Sequence, residues 1–158
     1  MVKRVKAGEA RSWTLVLLGF GLLVFAPWIL NEKIFAQASP GNPPGILKGS
    51  TEQGYGYMTG GIGLDEREVM ESWGASYNLK LSFAELSGVF LSDVSLSIMD
   101  ENGHEIIRTT TNGPWFYIKL PPGTYNVKAT FEDDIKEIKN LHLPKGQRVS
   151  RFLHWDLD

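Results

Sequence analysis

From residue 77 onward, hydrophobic and polar residues alternate, which is typical of strands with one buried face. Short segments of Gly, Pro, Asn or Asp separate the alternating runs and predict turns. Seven such runs follow one another, at 77–83, 94–98, 104–111, 115–120, 125–131, 135–143 and 147–157. Short strands with turns about every eight to twelve residues predict an all-β fold, an antiparallel β-sandwich of about seven strands. Helices do not alternate with these runs, so a parallel sheet is not expected.

One helical pattern precedes the strands, over residues 64–74. Its apolar residues, including Trp73, recur at helical spacing on one face, which we expect to pack against the sheet. Asp65 and Glu68 have the spacing of a capping box at the N-terminus of the helix. Gly74 is in a position to end it.

The segment before the helix is rich in glycine and proline. Residues 39–53 contain Pro, Gly and small polar residues, which indicate a flexible tether. Residues 54–63 hold five glycines and match neither of the glycine-rich nucleotide-binding motifs. We therefore expect 39–63 to be a tether with an irregular lead-in to the helix, and 64–158 to be the folded domain.

Residues 1–38 have the three parts of a secretory signal. Four basic residues lie among the first eleven, an uncharged apolar run spans 13–30, and Ala36 and Ala38 form an A-x-A cleavage site. Cleavage after Ala38 would release a periplasmic or otherwise exported protein. The alternatives are an uncleaved anchor, since 18 apolar residues are near the minimum for crossing a bilayer, and a helix of a cytosolic core. In the first two cases the basic end stays inside and the remainder is exported, in contact with the membrane only through residues 13–30 if uncleaved.

Composition narrows the classes of function. The chain of 158 residues is 42% hydrophobic and 22% charged, which predicts one folded domain. Residues 39–158 hold 11 of its 16 basic and 16 of its 18 acidic residues, so the exported part is acidic and lacks the charge of a nucleic-acid-binding protein. The chain has no cysteine, which excludes disulfides, a thiol nucleophile and cysteine-ligated metals.

The sequence contains no catalytic motif that we recognise. The pattern H-E-x-x-H and the nucleophile elbow G-x-S-x-G are both absent. To bind zinc or copper, His142 and His154 would need a third ligand from His104, Asp156 or an acidic residue of a loop, and surface histidines are the favoured interpretation. The acidic run at 132–134 is more typical of a solvated loop than of a calcium site. We predict no cofactor, no metal and no catalysis.

Binding remains the best-supported class of function. Trp115 and Tyr117 follow a turn and form the candidate contact surface, because aromatic side chains beside turns are typical of interaction sites. The alternative is that they pack at one end of the sandwich. An edge strand could also accept a strand from a partner.

Residues 88–146 resemble a carboxypeptidase regulatory-like domain. The similarity lies in the run L-P-P-G-T-Y-N-V at 120–127, with further matches at 91–96, 100–103 and 109–113. This resemblance implies a transthyretin-like (prealbumin-like) sandwich that acts as an accessory domain and not as an enzyme. The G-P-W sequence at 113–115 departs from the usual pattern of that family.

A wider resemblance covers the exported part. The runs G-G-I-G at 60–63, Y-N-L-K-L-S-F at 77–83 and G-P-W at 113–115 are similar to those of small Gram-negative envelope proteins without an assigned activity. It implies a single-domain, stand-alone protein and no particular chemistry. An envelope protein partner is our own expectation. We therefore expect a non-catalytic accessory module of a cell-envelope assembly. The alternatives are a protein that binds carbohydrate or another small ligand near Trp115 and, less favoured, a metal-dependent hydrolase.

Overall fold

A computed structural model describes residues 43–157, which form nine strands and one helix. The elements are β1 (Leu47–Ser50), β2 (Gly56–Gly60), α1 (Leu64–Gly74), β3 (Leu79–Glu85), β4 (Ser95–Asp100), β5 (Glu105–Thr110), β6 (Trp115–Ile118), β7 (Gly123–Phe131), β8 (Asp134–Leu143) and β9 (Val149–Trp155). The expected signal segment 1–38, with its apolar run 13–30 and the cleavage site at Ala36 and Ala38, lies outside the described residues. In the described part of the chain, no helix has the length and apolar character needed to cross a membrane.

The strands form two sheets, which confirms the prediction of a mostly β sandwich with one helix at 64–74. The first sheet has the order β1-β2-β6-β3-β9 and the second has the order β5-β4-β7-β8. The alternating apolar residues of both sheets meet between them and exclude water from one continuous core. The buried residues of this core are Leu79, Leu81, Phe83, Leu91, Val94, Leu96, Ile98, Ile107, Phe116, Ile118, Leu120, Tyr125, Val127, Ala129, Leu141, Leu143, Leu153 and Trp155.

The turn that leads into β7 buries Tyr125, as expected for a tyrosine that follows a proline-glycine turn. Pro121 and Pro122 direct the chain into the strand, and the ring of Tyr125 is buried in the core. The Tyr125 hydroxyl donates a hydrogen bond of 2.9 Å to the carbonyl oxygen of Pro121. This bond satisfies the one polar atom of a buried ring and fixes the turn to the strand.

The helix adds a third layer on the outer face of the first sheet. Met70 is fully buried there against Met58 and Tyr117, and Trp73 packs at the margin of the same cluster. The expected apolar face of the helix is thus confirmed, and the first sheet has an apolar cluster on each face.

The prediction of a flexible tether and an irregular lead-in was wrong for residues 47–50 and 56–60, which form β1 and β2. These strands pair with each other, and β2 also pairs with β6. The glycines there permit close packing of backbones and do not mark an irregular chain. A Cβ added at Gly113 would lie 2.5 Å from the carbonyl carbon and oxygen of Gly60. The end of β2 therefore approaches the turn before β6 at a distance that only glycine allows.

The expectation of a purely antiparallel sandwich was also wrong, because β9 runs parallel to β3 along seven residue pairs. β8 is an edge strand of the second sheet, and the chain then crosses to the edge of the first sheet. The remaining six strand pairs are antiparallel. Periodicity shows that 147–157 is a strand, but not which neighbour it takes.

The residues at both ends of α1 have different roles from those predicted. Gly63 is the N-cap, with no hydrogen bond from a capping side chain, so Asp65 does not cap the helix. Glu66 Oε2 instead accepts hydrogen bonds from the backbone N–H groups of Gly61 and Ile62, at 3.0 and 3.1 Å. At the other end Gly74 is the last helical residue, and a Cβ there would lie 2.7 Å from Cε1 of Tyr117. Glycine is needed at this position for packing and not for a left-handed turn.

Candidate functional site

The outer face of the first sheet carries the aromatic residues that the sequence singled out. Strand register places Tyr117 opposite Met58 on one side and Lys80 on the other, and Trp115 opposite Ser82. Helix α1 covers the half of this face around Tyr117. The half formed by the ends of β3 and β9 has no helix over it in the described structure.

Tyr117 is fully buried beneath the helix, so the prediction that it belongs to a contact surface was wrong. Its hydroxyl donates a hydrogen bond of 2.6 Å to Glu71 Oε2, which also pairs with Lys80 Nζ at 2.8 Å. The other oxygen of Glu71 pairs with Arg148 at 3.0 Å. Tyr117 is therefore the centre of a network that ties the helix to the sheet.

The network shifts the pKa values of its acidic members. Hydrogen bonds from Lys80 and Tyr117 and the positive charges of Lys80 and Arg148 lower the pKa of Glu71 to about 2. Burial raises the pKa of Tyr117 well above its usual value, and the Glu71 carboxylate adds to that effect. Glu71 is thus a carboxylate and Tyr117 a neutral donor across the physiological range of pH. The pair holds the helix in place and offers no acid or base for catalysis near pH 7.

Trp115 lies at the boundary between the covered and uncovered halves and is half-buried. Lys80 Nζ is 3.6 Å from the centroid of its ring, and the Cζ atom of Arg67 is 6.0 Å from it. A Cβ added at Gly61 would be 3.4 Å from the same ring. These neighbours occupy the surroundings of the indole, so Trp115 supports the surface beside it and does not present an open ring face.

The uncovered half carries a group of side chains that we call the aromatic patch: Phe90, Phe152 and His154. The exposed fractions of Phe90 and Phe152 are 43% and 58%. Ala84 pairs with Phe90 in an isolated bridge on one side and with His154 in β9 on the other. The ring centroids of Phe152 and His154 are 5.7 Å apart, with an interplanar angle of 12°.

Small buried residues lie beneath this patch. Ser82 and Ala84 point to the same outer face, yet both are almost fully buried because larger neighbours cover them. Arg67 bounds the patch on the helix side, with its Cζ 5.2 Å from the ring of Phe90. Arg67 is itself fixed by hydrogen bonds of 2.9 and 3.0 Å to the carbonyl oxygens of Gly61 and Ile62. The result is an exposed apolar surface above small buried residues, which is typical of a contact site.

Phe90 and Phe152 were not predicted from the sequence, and His154 was considered only as a metal ligand, although β9 contains the signal for a contact surface. Leu153 and Trp155 face the core, and Trp155 Nε1 donates a hydrogen bond of 3.1 Å to the carbonyl oxygen of Asp134. Alternation then places Phe152 and His154 on the opposite face. Aromatic residues on both faces of one strand indicate that both faces meet another surface.

The free edge of β9 adjoins the patch. In the described residues β9 pairs only with β3, and its seven residue pairs show no shift of register. The other three edges are less suited to pairing: β1 has four residues, and the ladders of β5 and β8 contain register shifts. Asn140 in β8 also has a positive φ. The edge of β9 is therefore the longest regular edge that this part of the chain offers to another strand.

The residues considered for metal binding are dispersed. His104 pairs with Asp100 at 3.1 Å, whereas His142 lies on β8 and His154 on β9, in different sheets. In the acidic run, Asp134 pairs with Lys136 at 2.7 Å. Between residues 43 and 157, no group of three or more His, Cys, Asp or Glu side chains is placed to hold a metal ion.

No family model matches the sequence, and no curated protein is similar to it.

Proposed function

We propose that this protein is a non-catalytic, exported binding module of a cell-envelope assembly, and that its contact surface is the aromatic patch with the adjoining edge of β9. The observation that carries this proposal is the uncovered half of the outer sheet face. Two phenylalanines are exposed there on a base of small residues, beside a free strand edge. Sheet faces of this character are normally buried against another element.

The partner of this surface is an extended segment of an envelope protein. A strand added to β9 would form main-chain hydrogen bonds with its free edge, and alternate side chains of that strand would face the outer side beside Phe152 and His154. Apolar side chains at those positions would bury the rings of the patch. Trp115, as in the sequence hypothesis, takes part, but in a supporting role next to Arg67.

Export and the finer fold type form part of the same proposal. The A-x-A site at Ala36 and Ala38 supports removal of residues 1–38, and the run 13–30 supports an anchor in the inner membrane if the segment is kept. The buried Tyr125 after the turn at 121–123 supports a prealbumin-like sandwich, with 88–146 as its carboxypeptidase regulatory-like part.

The experiment is site-specific cross-linking in the cell envelope. The full chain, tagged at its C-terminus, receives a photoreactive phenylalanine analogue at position 152, and a matched sample receives it at position 135. Ile135 is the matched control because it is also an exposed apolar residue on an edge strand, but of the second sheet. Cross-linked peptides are identified by mass, together with the N-terminus of the tagged chain.

We expect one recurrent envelope peptide to cross-link at position 152 and not at 135, and to be lost in the variant Phe90→Ser. An N-terminus at Ser39 would support cleavage, and an intact N-terminus on an envelope-embedded chain would support the anchor. Recovery of the tagged chain in the cytoplasm would contradict export. Equal cross-linking at both positions, or none at 152, would overturn the proposed surface.

The carbohydrate alternative rests on Phe152, which is 58% exposed and stacks on His154. Sugars bind to aromatic rings that present a free face, and the crowded ring of Trp115 does not provide one. Saturable binding of cell-wall sugars to the full chain, abolished by Phe152→Ser and unaffected by Ile135→Ser, would favour this alternative over a protein partner.

A further inference from the structure

A cleft lies at the opposite end of the first sheet from the aromatic patch. It has a volume of about 820 Å³ and is bounded by the end of α1, the start of β3, the segment after β6 and the turn before β9. Next to it, on the other side of Lys119, is a smaller hollow of about 360 Å³ that includes Tyr55 and Pro121. The size is that of a site for a small molecule.

Positive charge is concentrated in this cleft. Lys119, Lys145 and Arg148 line it, and Glu71 is its one acidic residue. Residues 39–158 as a whole are acidic, with 16 acidic and 11 basic residues. Three of those eleven bases therefore border one cleft, which favours an anion there over a cation.

The single carboxylate does not cancel this charge. One oxygen of Glu71 already accepts hydrogen bonds from Tyr117 and from Lys80, which lies outside the lining of the cleft. Its other oxygen accepts from Arg148 at 3.0 Å. Lys119 and Lys145 form no ion pair with any residue in the range 43–157. Two ammonium groups are thus left for a ligand.

The walls of the cleft are fixed relative to each other. The side chain of Asn78 donates a hydrogen bond of 2.7 Å to the carbonyl oxygen of Leu120 and accepts one of 2.8 Å from its N–H group. The backbone carbonyl oxygen of Asn78 accepts a hydrogen bond of 2.8 Å from the N–H group of Val149. These bonds join β3 to the chain on either side, so the cleft needs little ordering when a ligand binds.

We propose that this cleft binds an anionic small molecule. Lys119, Lys145 and Arg148 pair with a phosphate or carboxylate group, and the organic part of the ligand contacts Tyr77, Leu120 and Pro122. Charge-assisted hydrogen bonds from these cations supply the specificity. The lining is partly apolar, so a bare inorganic anion would leave much of the cleft unfilled.

The test is calorimetric titration of the full chain in mild detergent. The probes are glycerol phosphate and glucuronate, with glycerol and glucose as their uncharged counterparts. The variant Lys119→Gln/Lys145→Gln removes both charges at nearly constant volume, and neither side chain makes a hydrogen bond that the described fold needs. The control is Lys128→Gln/Lys139→Gln, which removes two charges from the second sheet.

We expect saturable binding of at least one charged probe and none of its uncharged counterpart. The cleft variant should weaken binding roughly tenfold or more, which is the effect of losing one to two hydrogen bonds to a charged group. The control variant should bind as the wild type does. Absence of binding by both charged probes, or an equal loss in both variants, would overturn the proposal. The cross-linking test of the aromatic patch is unaffected by either result.

Discussion

At the scale of single residues, the side chain of Glu71 connects the helix to two other parts of the fold. It accepts hydrogen bonds from a helix-covered tyrosine, a sheet lysine and the arginine of the β8–β9 turn. No pattern in the sequence identifies these partners, because they are nine, 46 and 77 residues away along the chain. The helical spacing does place Glu71 among the polar residues of α1. In the folded protein its carboxylate binds residues of β3, β6 and the turn before β9.

The charge of Glu71 should stabilise the protein in a manner that depends on pH. Folding lowers its pKa from 4.5 to about 2, so the stabilisation is complete above the unfolded value and is lost as the pH falls through 4.5 towards 2. The side chain is 47% exposed, so solvent screening limits the contribution to about 1 kcal/mol. We expect Glu71→Gln to be less stable than wild type by about this amount at pH 7, with the difference vanishing towards pH 2.

Urea unfolding of the full chain at a series of pH values measures this difference. Glu68→Gln is the matched control, since Glu68 is an exposed acid of the same helix that makes no ion pair within residues 43–157. A difference between wild type and Glu71→Gln that stays constant from pH 7 to pH 3 would show that the charge of Glu71 does not contribute.

At the scale of elements, the contact between β2 and the turn before β6 depends on glycine. Gly113→Ala would place a methyl group 2.5 Å from backbone atoms of Gly60, which cannot move aside as a flexible side chain would. We expect a loss of about 1–3 kcal/mol in the free energy of unfolding, as for overpacked positions. Gly56→Ala is the matched control, because its added Cβ meets no atom within 4 Å. Equal stability of the two variants in urea unfolding would contradict this account.

The same elements show how far the sequence predicts the fold. Alternation identified β3 to β9 because each of these strands has one face towards the core, and helical spacing identified α1. β1 and β2 were not predicted as strands, because Gly49, Gly56 and Gly60 interrupt the alternation of apolar and polar residues in these short segments. The neighbours of β9 could not be predicted, since the pairing of strands depends on contacts that are distant along the chain.

The candidate site was predicted only in part, for a related reason. The sequence identified Trp115 and Tyr117 as a pair on one face, and the strand register confirms that they share it. The sequence could not show that α1 covers Tyr117. The apolar face of the helix predicts that it packs on a sheet, but not on which part of the sheet. Phe90 lies in an irregular segment that pairs with β3 through a bridge to Ala84. Such a segment has no periodic pattern from which the position of Phe90 could be predicted.

At the scale of the whole molecule, the first sheet has different chemistry at its two ends. Phe152 on β9 and Phe90, which bridges to Ala84 of β3, expose their rings at one end, and the beginnings of the two strands border the cleft with Lys119 and Lys145. The aromatic patch and the cleft share no residue. Helix α1 lies between them on the same face of the sheet, with Arg67 beside the patch and Glu71 in the lining of the cleft.

Perturbations at the two ends should therefore act independently. We expect Phe90→Ser/Phe152→Ser to leave the affinity for the charged probes within about twofold, since distant sites without shared partners couple weakly. Lys119→Gln/Lys145→Gln should likewise leave cross-linking from position 152 unchanged. Calorimetry and cross-linking on both double variants measure this. Reciprocal loss, with each variant weakening both activities, would contradict independence and show that the sheet or the helix couples the two sites, because a coupling between two ligands acts equally in both directions.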